Sequence, residues 1–179
     1  MSELYVGLMS GTSLDGVDAV LVDFSSPMPV VLGHTSAAFP SALKDELLCL
    51  NASGEDELHR AALAANALAR EYAVQVRALL TKCQIPASAV RAIGAHGQTV
   101  RHRPGEFDGT GYTIQLNNGA LLAELGGTDV VVDFRSRDVA AGGQGAPLVP
   151  PFHQAMFSTP EHVVAVLNIG GISNVTVLD

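Results

Sequence analysis

The stretch Gly7–Asp18, GLMSGTSLDGVD, joins two apolar runs close to the N-terminus and decides how the chain begins to fold. The runs are Leu4–Met9 and Val17–Phe24, and their spacing predicts a β-hairpin with a long turn. Within that turn, Gly11 and Gly16 bracket hydroxyl groups and a carboxylate. Two interpretations stay open on these residues alone: a turn rich in Gly and Ser, or a loop that holds a phosphate.

The residue types in this turn suit an anion and a metal ion. Glycine allows backbone conformations in which consecutive N–H groups converge on an anion, and Thr12 and Ser13 add hydroxyl donors. Asp15 and Asp18 supply carboxylate oxygens of the kind that Mg²⁺ prefers, often through water. The glycine spacing imitates half of a P-loop, but Val17 and Asp18 stand where that motif needs Lys and then Ser or Thr. A P-loop NTPase is therefore excluded.

Composition restricts the class of protein. The chain has 179 residues, enough for one large domain or two small ones, and 47% of them are hydrophobic, which predicts a well-packed core. A net charge of −8 argues against a nucleic-acid binder with a basic surface, although backbone N–H groups can still hold a small phosphorylated ligand. Leu4–Met9 is far too short to span a membrane, and we expect a cytoplasmic protein. Cys49 and Cys83 lie in apolar helical patterns and are expected to be buried free thiols.

The first half of the chain continues with a strand and two helices. Val30–Thr35 predicts a third strand, and Ser41–Leu50 predicts a short helix. A longer helix is predicted between a capping-box start at Ser53–Asp56 and an end at Gln84–Pro86. Its apolar stripe has steps of three and four and consists of Leu58, Ala61, Ala65, Leu68, Tyr72, Val76 and Leu79.

The second half alternates short apolar runs with glycine turns. The predicted strands are Val90–Ala95, Tyr112–Leu116 and a buried Asp129–Asp133. The predicted helices are one from Asn117 or Asn118 to Leu125 and one from about Pro150 to Phe157. A closing hairpin is predicted from Val163–Ile169 and Ile172–Leu178 around Gly170-Gly171. Strands that alternate with helices in this way indicate an α/β class with a mixed sheet.

Polar side chains follow two of the predicted strands. His96, Gln98 and Thr99 come after Val90–Ala95 and suit sugar hydroxyls or a carboxylate, and the arginines that follow Asp133 suit a carboxylate or phosphate. Ligands of α/β proteins bind at such strand ends. The alternatives are an exposed polar loop at the first place and a mutually neutralising surface turn at the second. The segment Gly142–Gly145 is a hinge or lid, or else a flexible turn.

Four stretches taken together resemble one known family. In chain order they are GLMSGTSLDGVDAVLVDF (7–24), AIGAHGQTVRH (92–102), DFRSRDVAAGGQGAPLVPPFH (133–153) and LNIGGISNVTVL (167–178), and they are similar to the anhydro-N-acetylmuramic acid kinases of bacteria. The resemblance implies an actin-like, ribonuclease-H-like ATPase fold of two α/β lobes, as in sugar kinases and Hsp70. Because members are much longer than this chain, residues 1–160 are expected to form the N-terminal lobe and residues 161–179 the first hairpin of a second lobe.

The resemblance also implies a reaction. Members open the 1,6-anhydro ring of anhydro-N-acetylmuramic acid with water and phosphorylate O6, using ATP and Mg²⁺, in the recycling of cell-wall peptidoglycan. The opening loop is the family's first phosphate-binding element, and Asp15 is the candidate to approach Mg²⁺ through water. The chain matches that loop at Gly11, Thr12, Ser13, Leu14, Asp15, Gly16, Val17 and Asp18.

The family resemblance defines the sugar site and the catalytic base less completely than the phosphate-binding loop. The residues implied for the sugar site are His96, Gln98, Thr99, Asp133 and Arg135. Ser136 stands where members often have a further Arg, which weakens the assignment of a specific arginine clamp. The family's catalytic Asp lies in an Asp-x-Gly-Pro-Gly-Asn segment after the closing hairpin, and Asp179 is not that residue because Gly-Pro-Gly-Asn does not follow it. We therefore expect the 179-residue chain alone to lack kinase activity.

The expected ligands are ATP and an anhydro-amino sugar, with no nucleic acid and no membrane, and a homodimer is one open assembly state. Two rival functions remain. Another actin-fold kinase, for a different sugar or for acetate, would keep the opening loop but not DVAAGGQGAPLVP (138–150). A non-catalytic module that binds a nucleotide or sugar would explain a chain of this length.

Overall fold

The computed structural model of the chain describes residues 3–169 and 173–179. The strands are β1 (Leu4–Met9), β2 (Gly16–Asp23), β3 (Val30–Ala38), β4 (Val90–Ala95), β5 (Gln98–Pro104), β6 (Gly111–Leu116), β7 (Val130–Val131), β8 (Val164–Asn168) and β9 (Asn174–Leu178). The helices are α1 (Ser41–Cys49), α2 (Glu57–Cys83), α3 (Gly119–Gly126), α4 (Ser136–Ala140) and α5 (Pro150–Phe157), with a 3₁₀ turn at Ala87–Ala89. The predicted α/β class is confirmed.

β1 lies at the centre of a five-stranded mixed sheet with the order β3-β2-β1-β4-β7. β1 pairs antiparallel with β2, and β2 with β3, whereas β1, β4 and β7 run parallel. The predicted opening hairpin is therefore confirmed. With α2 packed against β2 and β3, this arrangement is that of an actin-like, ribonuclease-H-like ATPase lobe.

The long helix α2 supplies much of the core, but its buried face starts later than the pattern predicted. Leu68 and Tyr72 are fully buried, as expected from the stripe. Leu58 is 90% exposed, and the first buried residue of α2 is Ala64. Periodicity predicts which face of a helix is apolar but not where along its length that face meets the core. The capping box is also wrong, because Asp56 has a left-handed φ of 49° and its side chain caps nothing.

Two further elements differ from prediction. The predicted buried strand Asp129–Asp133 is reduced to β7, which among the described strands is an edge strand next to β4, and Val131 is exposed there. β5 lies where a polar loop was the alternative, and it pairs with β6 in a separate two-stranded sheet. A sheet with one solvated face tolerates polar residues, so hydropathy does not reveal such a strand.

β8 and β9 form the predicted closing hairpin, pairing from Val164 with Leu178 to Asn168 with Asn174. Its predicted turn around Gly170-Gly171 lies outside the described residues. The outward-facing pairs of this hairpin are apolar and include Leu167 opposite Val175, both exposed.

The expectation of buried thiols is wrong. Cys49 is exposed and Cys83 is partly exposed. Leu43 and Leu47 form the buried face of α1, and Cys49 lies two residues further along, which places it on the opposite side of that helix. In the part of the chain that the structure describes, no helix has the length and hydropathy needed to cross a membrane.

Candidate functional site

The parallel strands β1, β4 and β7 end at one edge of the sheet, and the segments that follow them meet there. The glycine-rich loop follows β1, His96 follows β4, and Arg135 comes shortly after β7. They border a cleft of about 420 Å³ at the edge where α/β proteins bind ligands. The residues that line the cleft are Met9, Ser10, Gly11, Thr12, Ser13, His96, Thr99, Arg135, Asn168 and Asn174.

The glycine-rich loop is a tight turn anchored by apolar residues. The N–H of Leu14 donates to the carbonyl of Gly11 at 3.1 Å, and Leu14 adopts a left-handed φ of 55°. The side chains of Leu14 and Val17 are buried in the core, whereas Thr12 and Ser13 are exposed at the tip. The turn therefore offers hydroxyl and backbone groups to the cleft from a base that is fixed in the core.

Hydrogen bonds tie the start of this loop to the connection between β4 and β5. The Ser10 hydroxyl donates to the carbonyl of Gly97 at 3.2 Å, and its oxygen lies 2.8 Å from the Tyr72 hydroxyl. The side-chain amide of Gln98 donates to the carbonyl of Gly11 at 3.2 Å. Ser10, Tyr72 and Gln98 are almost completely buried, so these bonds are shielded from water and are stronger for it.

His96 is held as a neutral imidazole between two partners. Its Nδ1 donates to the carbonyl of Gly97 at 2.7 Å, which leaves Nε2 to accept the Nε–H of Arg135 at 2.9 Å. Burial lowers the pKa of His96, the bond to the Gly97 carbonyl opposes that shift, and the charge of Arg135 lowers the pKa further. Only the neutral form can accept the bond from Arg135, because an imidazolium has two N–H donors and no acceptor.

Arg135 also connects the cleft to the segment Gly142–Gly145. Its Nη1 donates to the carbonyl of Gly145 at 2.6 Å, and the N–H of Gly145 donates to the carboxylate of Asp138 at 2.7 Å. The guanidinium is thus fixed by two acceptors, His96 and Gly145, before any ligand enters. The hinge or lid role of Gly142–Gly145 stays a prediction.

A row of polar side chains runs from the cleft along β5 and β6. The amide of Gln115 donates to the hydroxyls of Thr99 at 3.2 Å and Thr113 at 2.7 Å, and Thr113 Oγ1 lies 3.0 Å from Nδ1 of His102. These bonds fix the rotamer of Thr99, which is the member of the row that lines the cleft.

Comparison with known proteins decides the family. The sequence model of the family described as anhydro-N-acetylmuramic acid kinase matches residues 3–179. This chain belongs to that family. Curated proteins named anhydro-N-acetylmuramic acid kinase are 68% identical over 178 residues in Albidiferax ferrireducens, 64% over 176 in Variovorax paradoxus and 59% over 177 in Cupriavidus metallidurans. These matches cover 98–99% of this chain but 46–47% of the relatives, so the chain spans about half their length.

The structure brings six of the residues implied by the family resemblance into the cleft lining. Three of them belong to the opening loop, two follow β4 and one follows β7. They are Gly11, Thr12, Ser13, His96, Thr99 and Arg135. Residues far apart in this family member's sequence therefore share one ligand-sized space.

The other implied residues lie elsewhere. Gln98 is buried beside the loop, and Asp133 is exposed and accepts the Ser136 N–H at 3.2 Å, which starts α4. Leu14 and Val17 belong to the core. Asp15, Gly16 and Asp18 border a separate hollow with residues 36–38 of β3.

Sequence reasoning missed some residues at the site. Asn168 and Asn174 line the cleft from the closing hairpin, which the sequence predicted as a hairpin without assigning it any site residue. Ser10 and Tyr72 belong to the hydrogen-bonded base of the loop. Tyr72 is the residue of the apolar helix stripe that carries a hydroxyl. Because a buried tyrosine hydroxyl usually has a hydrogen-bond partner, this hydroxyl was the signal that Tyr72 contacts another polar group.

The described residues contain no group of three or more His, Cys, Asp and Glu side chains placed to hold a metal ion. Asp18 is engaged by His34, whose Nε2 lies 3.1 Å from the carboxylate. Asp15 is exposed. A role for Asp15 toward Mg²⁺ therefore stays a prediction that depends on water-mediated contact.

Proposed function

We propose that the intact protein carrying this chain is an ATP-dependent kinase that opens the 1,6-anhydro ring of anhydro-N-acetylmuramic acid with water and phosphorylates O6. The product is N-acetylmuramic acid 6-phosphate, and the reaction serves peptidoglycan recycling in the cytoplasm. The observation that carries the proposal is the family match over residues 3–179. The cleft at the strand ends supplies a space of suitable chemistry.

The turn Gly11–Ser13 suits the phosphates of ATP. Hydroxyls of Thr12 and Ser13 are exposed at its tip, and a glycine at its start lets a phosphate oxygen approach the backbone closely. The buried side chains of Leu14 and Val17 hold the turn, so little ordering is needed on binding. ATP supplies the phosphoryl group when bound.

The opposite wall of the cleft suits the sugar. The hydroxyl of Thr99 and the amides of Asn168 and Asn174 can exchange hydrogen bonds with sugar hydroxyls and with the acetamido group. Arg135 is the charged residue of the lining when His96 is neutral. Its Nε and Nη1 donate to His96 and Gly145, so Nη2 is the nitrogen that we assign to the carboxylate of the substrate.

Mg²⁺ would neutralise charge on the ATP phosphates. The one carboxylate that the loop offers free of an ion pair among the described residues is Asp15, since Asp18 pairs with His34. Mg²⁺ keeps several of its waters in proteins, so a single carboxylate acting through water is a chemically sufficient contribution from this loop. The test is Asp15→Asn in the intact protein, for which we expect a higher Mg²⁺ concentration at half-maximal rate and an unchanged melting temperature.

We also propose that residues 161–179 begin a second lobe that provides the remainder of the nucleotide site and the catalytic base. The chain spans about half the length of its curated relatives. Leu167, Val175 and Val177 form an exposed apolar face on the β8–β9 hairpin, which is the kind of surface that another layer of structure covers. A homodimer of the intact protein is a further expectation, to be tested by light scattering.

The experiment that tests the function is incubation of the intact protein with the anhydro-sugar, ATP and Mg²⁺, with the product identified by mass spectrometry and ³¹P NMR. We expect a sugar 6-phosphate that has gained one water. Phosphorylation of another sugar or of acetate, with none of the anhydro-sugar, would establish the rival kinase. Binding of ATP without any turnover would support a non-catalytic module.

A pair of arginine variants tests the cleft assignment. Arg135→Ala should lower kcat/KM roughly tenfold to a hundredfold, the effect of losing a charged hydrogen bond. Arg137→Ala is the matched control, because Arg137 is exposed and does not line the cleft. Equal effects of the two substitutions would contradict the assignment of Arg135.

A further inference from the structure

Tyr72 carries a hydroxyl into the centre of the core. Its side chain is fully buried on the apolar face of α2, among residues such as Leu68 and Val76. A buried hydroxyl costs free energy unless it is hydrogen-bonded, and Phe would fill nearly the same volume without that cost. The hydroxyl of Tyr72 therefore needs an explanation beyond packing.

The partner of this hydroxyl is the first residue after β1. Tyr72 Oη lies 2.8 Å from Ser10 Oγ, across a sequence separation of 62 residues. The single proton of the Ser10 hydroxyl goes to the carbonyl of Gly97 at 3.2 Å, so Tyr72 must be the donor to Ser10. Burial raises the pKa of Tyr72 to about 12, which keeps that proton in place throughout the physiological range.

The chain of hydrogen bonds ends where the two walls of the cleft meet. The carbonyl of Gly97 accepts from Ser10 and also from Nδ1 of His96 at 2.7 Å. Ser10 is followed directly by Gly11, where the cleft-lining turn begins. One buried hydroxyl on α2 is thus linked both to the turn and to the residue opposite it.

We propose that Tyr72 is a positioning residue that holds the Gly11–Ser13 turn in its ligand-ready place through Ser10. The proposal rests on the nucleotide role of that turn given above. Tyr72 does not line the cleft, so it acts by fixing the backbone to which the phosphate donors belong.

The first test needs no ligand. In the intact protein, Tyr72→Phe should accelerate hydrogen exchange of the Leu14 amide, which closes the turn by donating to Gly11 at 3.1 Å. We expect acceleration of about twofold to tenfold, the effect of losing one neutral hydrogen bond. Two controls separate this effect from others: Tyr5→Phe makes the same chemical change on β1, and Val76→Ala weakens the same face of α2 without removing a hydrogen bond.

The second test is a double-mutant cycle on the dissociation constant for ATP with Mg²⁺. If Tyr72 acts through Ser10, Tyr72→Phe should weaken binding about twofold to tenfold in the wild-type background and leave it unchanged in Ser10→Ala. A residue that only stabilises the core would weaken binding equally in both backgrounds.

The outcomes separate this proposal from the proposed function. Unchanged exchange at Leu14 in Tyr72→Phe, or equal acceleration in Val76→Ala, overturns the positioning role, and so does an additive cycle. If the wild-type protein binds no ATP, the kinase proposal fails, and the exchange measurement alone then decides whether Tyr72 positions the turn.

Discussion

At the scale of single residues, the opening loop depends on a glycine that leaves no room for a side chain. A Cβ at Gly16 would lie 2.0 Å from the carbonyl oxygen of Ala37 on β3, far inside any real contact distance. Gly16 begins β2 and pairs with Ala38, so a shift there would move the hairpin that supports the loop. The glycine is needed because another backbone approaches it closely.

Gly16→Ala is therefore expected to lower the free energy of unfolding by about 2–4 kcal/mol, through overpacking against backbone that cannot move aside. Chemical denaturation monitored by circular dichroism measures this. Gly11→Ala is the matched control, since its Cβ would meet nothing closer than Ser13 Oγ at 3.6 Å. We expect the control to change stability by less than about 0.5 kcal/mol. Equal losses in the two variants would show that the close approach to Ala37 does not matter.

His96 makes the cleft sensitive to pH. Burial lowers its pKa from the usual 6.5, so the unfolded chain binds more protons than the folded one as the pH falls through that value. The stability that the neutral imidazole contributes is complete above pH 6.5 and is lost as the pH falls from there through the lower folded pKa. Protonation also removes the acceptor for Arg135.

The corresponding prediction uses His96→Gln, which keeps an acceptor but does not titrate. From about pH 7.5 to about pH 5.5, the melting temperature of the wild-type protein should fall more steeply than that of the variant. His59→Gln is the control, because His59 is exposed on α2 and makes none of the described hydrogen bonds of the cleft. Parallel curves for wild type and His96→Gln would contradict the titration of a buried imidazole.

At the scale of elements, α2 shows which properties of a helix the spacing of its apolar residues predicts. The helix and its apolar face were predictable because steps of three and four residues reflect the geometry of the helix itself. The start of the buried face was not predictable, because it depends on where the helix meets β2 and β3. The sequence predicted a loop in place of β5 and a longer buried strand in place of β7. The reason is similar, since a strand's position in its sheet decides how apolar its residues must be.

Matched leucine substitutions on α2 test this boundary. Leu68→Ala should destabilise the protein by about 2–5 kcal/mol because it opens a cavity in the core. Leu58→Ala should change the free energy of unfolding by less than about 0.5 kcal/mol because Leu58 is exposed. Thermal and denaturant unfolding of the same preparations measure both values. A large loss of unfolding free energy for Leu58→Ala would contradict the exposed position of Leu58.

At the scale of the whole molecule, the cleft exists because three parallel strands deliver their following segments to one edge of the sheet. The order β1-β4-β7 puts the glycine-rich loop, His96 and Arg135 side by side, although they are distant in sequence. The asparagines of the β8–β9 hairpin then form part of the cleft rim. A ligand in this space would contact segments from both ends of the chain.

The 179-residue polypeptide expressed alone is expected to show no kinase activity, because we propose that the base and the second half of the nucleotide site belong to a further lobe, and the chain spans about half the length of its curated relatives. The intact protein, assayed beside it under the same conditions, serves as the positive control. Transfer of phosphate from ATP to the anhydro-sugar by residues 1–179 would overturn the two-lobe proposal while leaving the family membership intact.

Local features of the sequence determined most of the elements and the family. The glycine turn between two apolar runs, the helical stripe and the four ordered motifs are properties of neighbouring residues, and they are legible without a structure. Only the tertiary structure decided which polar groups meet, such as Ser10 with Tyr72 and His96 with Arg135. It also decided that Asp15 borders a hollow beside β3 and does not line the cleft. The physical reason is that such contacts depend on strand order and helix docking, which arise from pairings between distant segments that no local pattern encodes.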